Sequence, residues 1–157
     1  MEFITSDKDL WAAVPEDEAV VPATNTLLTW AQWRNVREQW PAGLPVAIAF
    51  PNDADIEDLS PDLSRIALVV LHFPKWTDGR AYSQARLLRG RYRYGGQVRA
   101  TGDVVVDMAP LLSRTGFDSA VLRAGQNPEF AQRALGFFPA YYQGDVHEHR
   151  PLFNRGA

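Results

Sequence analysis

The sequence predicts an α/β fold built on a small parallel sheet of about four or five strands with βα units. Three observations carry that expectation. Ile66 to Phe73 reads Ile-Ala-Leu-Val-Val-Leu-His-Phe, an apolar, β-branched run without period-two alternation, as in a strand covered on both faces. From Thr29 onward, strand-like runs alternate with helical ones, which is the pattern of parallel strands joined by right-handed crossovers. The chain has 157 residues, 46% hydrophobic and 22% charged, enough for one core rather than two, so residues 1–157 read as a single domain. Such a sheet is either open and doubly wound or barrel-like and incomplete, and in both cases ligands meet the C-terminal ends of the strands.

The elements follow in order. Thr29 is a helix N-cap, Trp30, Trp33, Val36 and Trp40 recur at helical spacing, and Pro41 with Gly43 ends the segment. Three tryptophans on one stripe predict core. Val46 to Phe50 is a short apolar run closed by Pro51-Asn52-Asp53, a buried strand entering a loop. Asp53, Asp55, Glu57 and Asp58 crowd the next segment. No glycine stands where a calcium loop needs one, so they read as a helix start favoured by the dipole.

After the Ile66–Phe73 strand, Ser83 to about Tyr94 reads as a helix with Ala85, Leu88 and Tyr92 inward, ended by Gly95-Gly96. Tyr82, Arg86, Arg89 and Arg93 share its other side. Gln97 to Thr101 is a strand closing on Gly102-Asp103, and a helix with Val104, Met108, Leu111 and Leu112 runs to Gly116. Pro110 suits only a first turn, so either Asp107 caps a short helix or a longer one from Asp103 is kinked. Ser119 to Leu122 is a further strand. Asn127-Pro128 then opens a helix whose apolar side reads Phe130, Ala134, Phe137 and Phe138, and Pro139 ends it. The last eighteen residues look irregular and are free to pack on another surface or another subunit, which leaves a homo-oligomer open.

Composition excludes several chemistries. With no cysteine, disulfides, thiolate metal sites, iron–sulfur ligation and a cysteine nucleophile are absent as intrinsic features. No Walker loop, Rossmann glycine fingerprint, nucleophile elbow or His-Glu-x-x-His is present, so no intrinsic cofactor and no metal are expected. His147 and His149 sit two apart in the tail, and His72, inside an apolar strand, reads as a core histidine. No run of eighteen apolar residues and no signal-peptide pattern occurs, so a cytoplasmic protein without membrane contact is expected.

Net charge is −3, yet residues 1–64 hold three Lys/Arg against twelve Asp/Glu, and residues 65–157 hold thirteen against seven. The cations are almost all arginine, which binds planar oxyanions through a two-pronged fork. The alternative is that the two halves neutralise each other within one fold. Nucleic-acid binding lacks support, with a pI near 5.6 and basic residues striped on a single helix.

The most informative stretch is Phe73-Pro74-Lys75-Trp76-Thr77-Asp78-Gly79-Arg80-Ala81-Tyr82-Ser83-Gln84-Ala85-Arg86-Leu87-Leu88-Arg89, joined downstream by Arg99-Ala100-Thr101-Gly102-Asp103-Val104 and Gly116-Phe117-Asp118. Over about residues 45 to 140 this resembles the bacterial family known as domain of unknown function 934, whose pattern is an FPKF-TDGRGYSQARLLR run, then LRA-GDV, then a CGFD turn. The chain departs from it at Ala81, Trp76 and Thr115, the last replacing a frequent cysteine and arguing against a mechanism that uses that thiol. The resemblance implies an association with assimilatory sulfite reduction, and with it a partner such as sulfite reductase or its electron donor.

Read from the residues, the motif leaves the end of a strand, and Gly79 with Ser83 at the next helix start would expose N–H groups to an anion. Lys75, Arg80 and Arg86 would add charge-assisted bonds to sulfite, sulfate or phosphate. The candidate binding set is therefore Lys75, Asp78, Gly79, Arg80, Tyr82, Ser83, Arg86, Gly102 and Asp103. The competing reading is that Asp78 and Ser83 cap the turn, Arg80 pairs with Asp103 or Asp78, and the motif fixes a loop. Two functions follow: an accessory protein of sulfite reduction acting through partner or anion binding, or a small enzyme, labelled in the family as an oxidoreductase, acting on an oxyanion-bearing metabolite with Asp78 or Asp103 as acid or base.

Overall fold

The computed structural model describes residues 1–151. It contains seven strands, all parallel: β1 (Glu2–Ile4), β2 (Ala12–Ala13), β3 (Thr26–Thr29), β4 (Val46–Phe50), β5 (Ile66–Phe73), β6 (Gln97–Gly102) and β7 (Ser119–Val121). Their spatial order is β1-β7-β6-β5-β4-β3-β2. From β2 to β7 each strand pairs with the next in sequence, so the order never reverses. Right-handed crossovers then put every helix on the same side. The outcome is a curled half-barrel, which decides between the two architectures the sequence left open.

Four strands, β4 to β7, match the expected runs. The three that match no expected run lie in the first 29 residues, where the sequence showed only a helix start. Their invisibility has a cause: β1 and β2 have three and two residues, and both alanines of β2 are exposed. No periodic pattern can be read from so few positions.

The convex side is the main core. Trp33, Phe50, Phe73, Leu88, Leu112 and Phe117 are all buried there, against α1 (Trp30–Val36), a 3-10 segment (Ile56–Arg65), α2 (Arg80–Gly90), α3 (Ala109–Thr115) and α4 (Pro128–Ala134). Helix α1 opens on a capping box in which Thr29 and Gln32 satisfy each other's backbone donors. Trp40 lies beyond the helix but stacks edge-on against Trp33. Asp55 caps the 3-10 segment, so the acidic cluster does start a helix. Pro110 falls in the first turn of α3, after a separate 3-10 turn at Val106–Met108.

Two helices differ from expectation. In α4 the buried residues are Ala131 and Ala134 and Phe130 is exposed, while Phe137 and Phe138, expected on the same stripe, lie beyond the last helical residue and are exposed. Helix α2 begins at Arg80, not Ser83: Gly79 is the N-cap, and the Asp78 carboxylate just before it accepts from the N–H of Arg80, the first helical residue. It ends at Gly90, leaving Arg93 in a left-handed conformation outside it.

The concave side is held by the N-terminal segment. β1 lies at one edge of the sheet and β2 at the other. Seven residues lie between Ile4 and Ala12, three of them in a 3-10 turn, and the eight chain steps reach at most about 24 Å. Six strand spacings of about 4.8 Å would put the edges of a flat sheet about 29 Å apart, so the strap can close only over a curled one. It passes through the trough. Asp9 pairs with the buried Arg99 of β6, and Trp11 packs on Ala47, Leu68 and Val70.

Candidate functional site

Three loops at the C-terminal edge of the sheet are stitched together. After β4, Asn52 donates to Asp78 Oδ2 at 3.1 Å, and Gln84 of α2 donates to the carbonyls of Pro51 and Ala54. After β5, the Asp78 carboxylate takes the Arg80 backbone N–H and both Nε and Nη2 of the Arg80 guanidinium, the last at 2.7 Å. After β6, Asp103 accepts from the Trp76 N–H at 2.9 Å and from Arg123 Nη1 at 2.7 Å.

These bonds fix the ionisation of both carboxylates. Hydrogen bonds from the Arg80 side chain and backbone hold Asp78 down to about 2. The Trp76 N–H, then Arg123, lowers Asp103 below the ordinary carboxylate range. Each is an anion whose acceptors are already used, a poor starting point for a general acid. Burial pushes the Tyr82 hydroxyl up to about 12, so it stays neutral.

The nine candidate positions therefore separate. Asp78 and Arg80 are clamped to each other, and Asp103 ties the same loop down. Gly102 is required by the backbone, with φ +94°. Lys75 and Gly79 are exposed on the loop, and a Cβ at Gly79 would meet nothing within 4 Å. Ser83 is exposed one turn into α2. Arg86 is not brought to the loop and instead lines a crevice with Gly144, Asp145 and His149 of the tail.

A cavity of about 490 Å³ opens beside the clamped loop. Trp76 and Tyr82 form one wall, Val105, Met108 and Leu111 of the α3 region another, and the polar lining is Asp107, Arg123 and Gln126. Trp76 is 57% exposed although its backbone is pinned, and Tyr82 is steadied edge-on by Phe73 and Phe117. Among the nine candidates only Tyr82 lines this cavity, while Asp103 orients its arginine. The other seven lining residues, Trp76 and Arg123 among them, were missed. Arg123 was findable: it follows the Ser119–Leu122 run, and the C-terminal-edge rule applies to the loop after that strand as to the other three.

The rest of the motif is structural. Arg89 donates to the carbonyls of Gly116, Tyr94 and Gly96 and pairs with Asp118, whose carboxylate also receives the Val98 N–H. Thr115 is buried and donates its hydroxyl to the Leu111 and Leu112 carbonyls. Among the described residues no helix is long and apolar enough to cross a membrane.

A family described as a bacterial protein of unknown function, DUF934, matches residues 47–153, more than half of the chain. No curated protein matches it.

Proposed function

The chain belongs to the DUF934 family, and from that premise we propose that it is an accessory protein of assimilatory sulfite reduction that works by binding, using the cavity between Trp76, Tyr82 and Arg123. One observation carries the binding part of this reading. Trp76 is held outward, 57% exposed, on a loop tied at Asp78, Arg80 and Asp103. A large apolar side chain on a rigid loop loses little entropy on association, and tryptophan beside arginine is the composition of interface anchors.

The preferred occupant has a planar or apolar part to rest on Trp76 and Met108 and an anionic group for Arg123, with Lys75 exposed on the same loop. A partner protein with an acidic rim, sulfite reductase or its electron donor, meets that description. The link to sulfite reduction itself rests on the family resemblance. The enzymatic alternative is less favoured, since Asp78 and Asp103 are engaged ions.

The test is capture from sulfate-grown cells with the parent chain and with Trp76→Ala as bait, followed by mass spectrometry. Trp76 is exposed, so the variant keeps its fold. Sulfite reductase or its electron donor is expected with the parent and absent with the variant. Recovery of neither partner by the parent, or equal recovery by both baits, overturns the reading.

A further inference from the structure

We infer that the trough of the half-barrel holds a second site, on the opposite side of the sheet from the Trp76 cavity, for a small organic carboxylate with an apolar body. The strap fills only the lower part of the trough, through Trp11 and the Asp9–Arg99 pair. Above it the trough opens into a cavity of about 580 Å³ at the C-terminal ends of β3 to β6. That is the mouth at which parallel barrels bind ligands.

Strand alternation and register decide which side chains meet there. Ala49 pairs with Val70 across β4 and β5, and His72 pairs with Thr101 across β5 and β6. All four line the cavity, with Trp30 as a side wall. Small and apolar residues thus make the floor, and the polar atoms sit at its upper end. His72, expected as a core residue, is exposed instead.

The His72 ring is seated. Its Nδ1 lies 3.5 Å from Thr101 Oγ1, and it rests on Gly102, where a Cβ would come within 2.6 Å of its Cε1. The Nε2 atom has no partner among the described residues. At the rim, Arg34 of α1 and Glu16 of the β2–β3 connection line the same cavity, and neither has a hydrogen bond or ion pair among the described residues.

An unengaged guanidinium above an apolar floor selects a carboxylate attached to a hydrophobic body. Glu16 opposes a second negative charge, so monocarboxylates are preferred over dicarboxylates. His72 Nε2 gives the ligand a hydrogen-bonding partner at the far end.

The chain's three histidines make the test direct, because His147 and His149 lie in the tail and serve as internal references. Ring resonances, assigned with His72→Gln, are followed by NMR during titration with 3-phenylpropionate, succinate and the neutral 3-phenylpropanol. The expected result is a saturable shift of the His72 signals with 3-phenylpropionate, weaker with succinate and absent with the alcohol. Arg34→Ala, at an exposed position, should weaken it about tenfold, and Trp76→Ala should leave it unchanged. No saturable shift of His72 with 3-phenylpropionate, or an equal response in Arg34→Ala, overturns the inference. Trp76→Ala separates it from the binding role of the other cavity.

Discussion

The imidazole of His72 lies against Gly102 on the neighbouring strand, so closely that a Cβ there would fall 2.6 Å from His72 Cε1 and 2.3 Å from the Phe73 carbonyl oxygen. Gly102 also has φ +94°. Both facts make this motif position obligatory glycine. Gly102→Ala should lower stability by about 1 to 3 kcal/mol or more. Gly79, with φ −86° and open space around it, should accept alanine with no loss or a gain of about 0.4 to 1 kcal/mol. Urea denaturation of the two variants compares them, and equal midpoints would contradict this division of roles.

Arg89 joins α2 to the turn before β7 and to the loop before β6 through three carbonyls and Asp118. A lysine has neither the planar fork nor the number of donors to replace it. Arg89→Lys should therefore cost about 2 kcal/mol or more, whereas Arg86→Lys should leave the melting temperature unchanged. A melting curve for each variant decides it. An Arg89→Lys protein as stable as the parent would mean that this network contributes little.

Much of this was legible in the sequence. Strands β4 and β5 carry apolar runs, β6 and β7 are short segments bounded by turn residues, and the caps at Thr29, Asp55 and Asn127 are local signals. The half-barrel was not, because it depends on β1 to β3. Five of their nine residues belong to β1 and β2, whose pairing is decided by the strap and by backbone bonds, not by a hydrophobic pattern. At the site, the sequence identified the loop but not its wiring. Asp78 and Arg80 are two apart, a separation equally compatible with a clamp on each other and with a clamp on a ligand. Phe130, Phe137 and Phe138 show the same limit: their spacing reads as one stripe, but α4 ends at Ala134, so Phe137 and Phe138 fall beyond it and Phe130 faces outward.

The Asp78–Arg80 clamp has a pH signature. The folded-state value of Asp78 is about 2, below the ordinary value of about 3.9. The unfolded chain therefore binds this proton more readily. The stabilisation is complete above about pH 4 and is lost as pH falls through about 2. Asp78→Asn should be less stable than the parent at pH 5, with the gap closing between pH 4 and 2. Salt should shrink it. A gap independent of pH would mean that the carboxylate contributes by shape and not by charge.

Trp33 is fully buried, donates its indole N–H to Asp62 at 3.0 Å, and stacks against Trp40. Trp33→Ala should cost about 3 to 5 kcal/mol, with Asp62 left to Arg37 alone. An unchanged denaturation midpoint would show that this core region reorganises around the loss.

The proposed binding role of the Trp76 cavity in sulfite reduction is tested most directly in the cell, by growth on sulfate as sole sulfur source with the double variant Trp76→Ala, Arg123→Ala in place of the parent gene. Both side chains are solvent-exposed, so protein level should match the parent, and loss of the Arg123–Asp103 pair should lower stability by no more than about 1 kcal/mol. The expected result is loss of growth on sulfate, equal to that of a deletion strain, with normal growth on cysteine. Growth on sulfate at the parent rate, whether by the double variant or by the deletion strain, would contradict the assigned role.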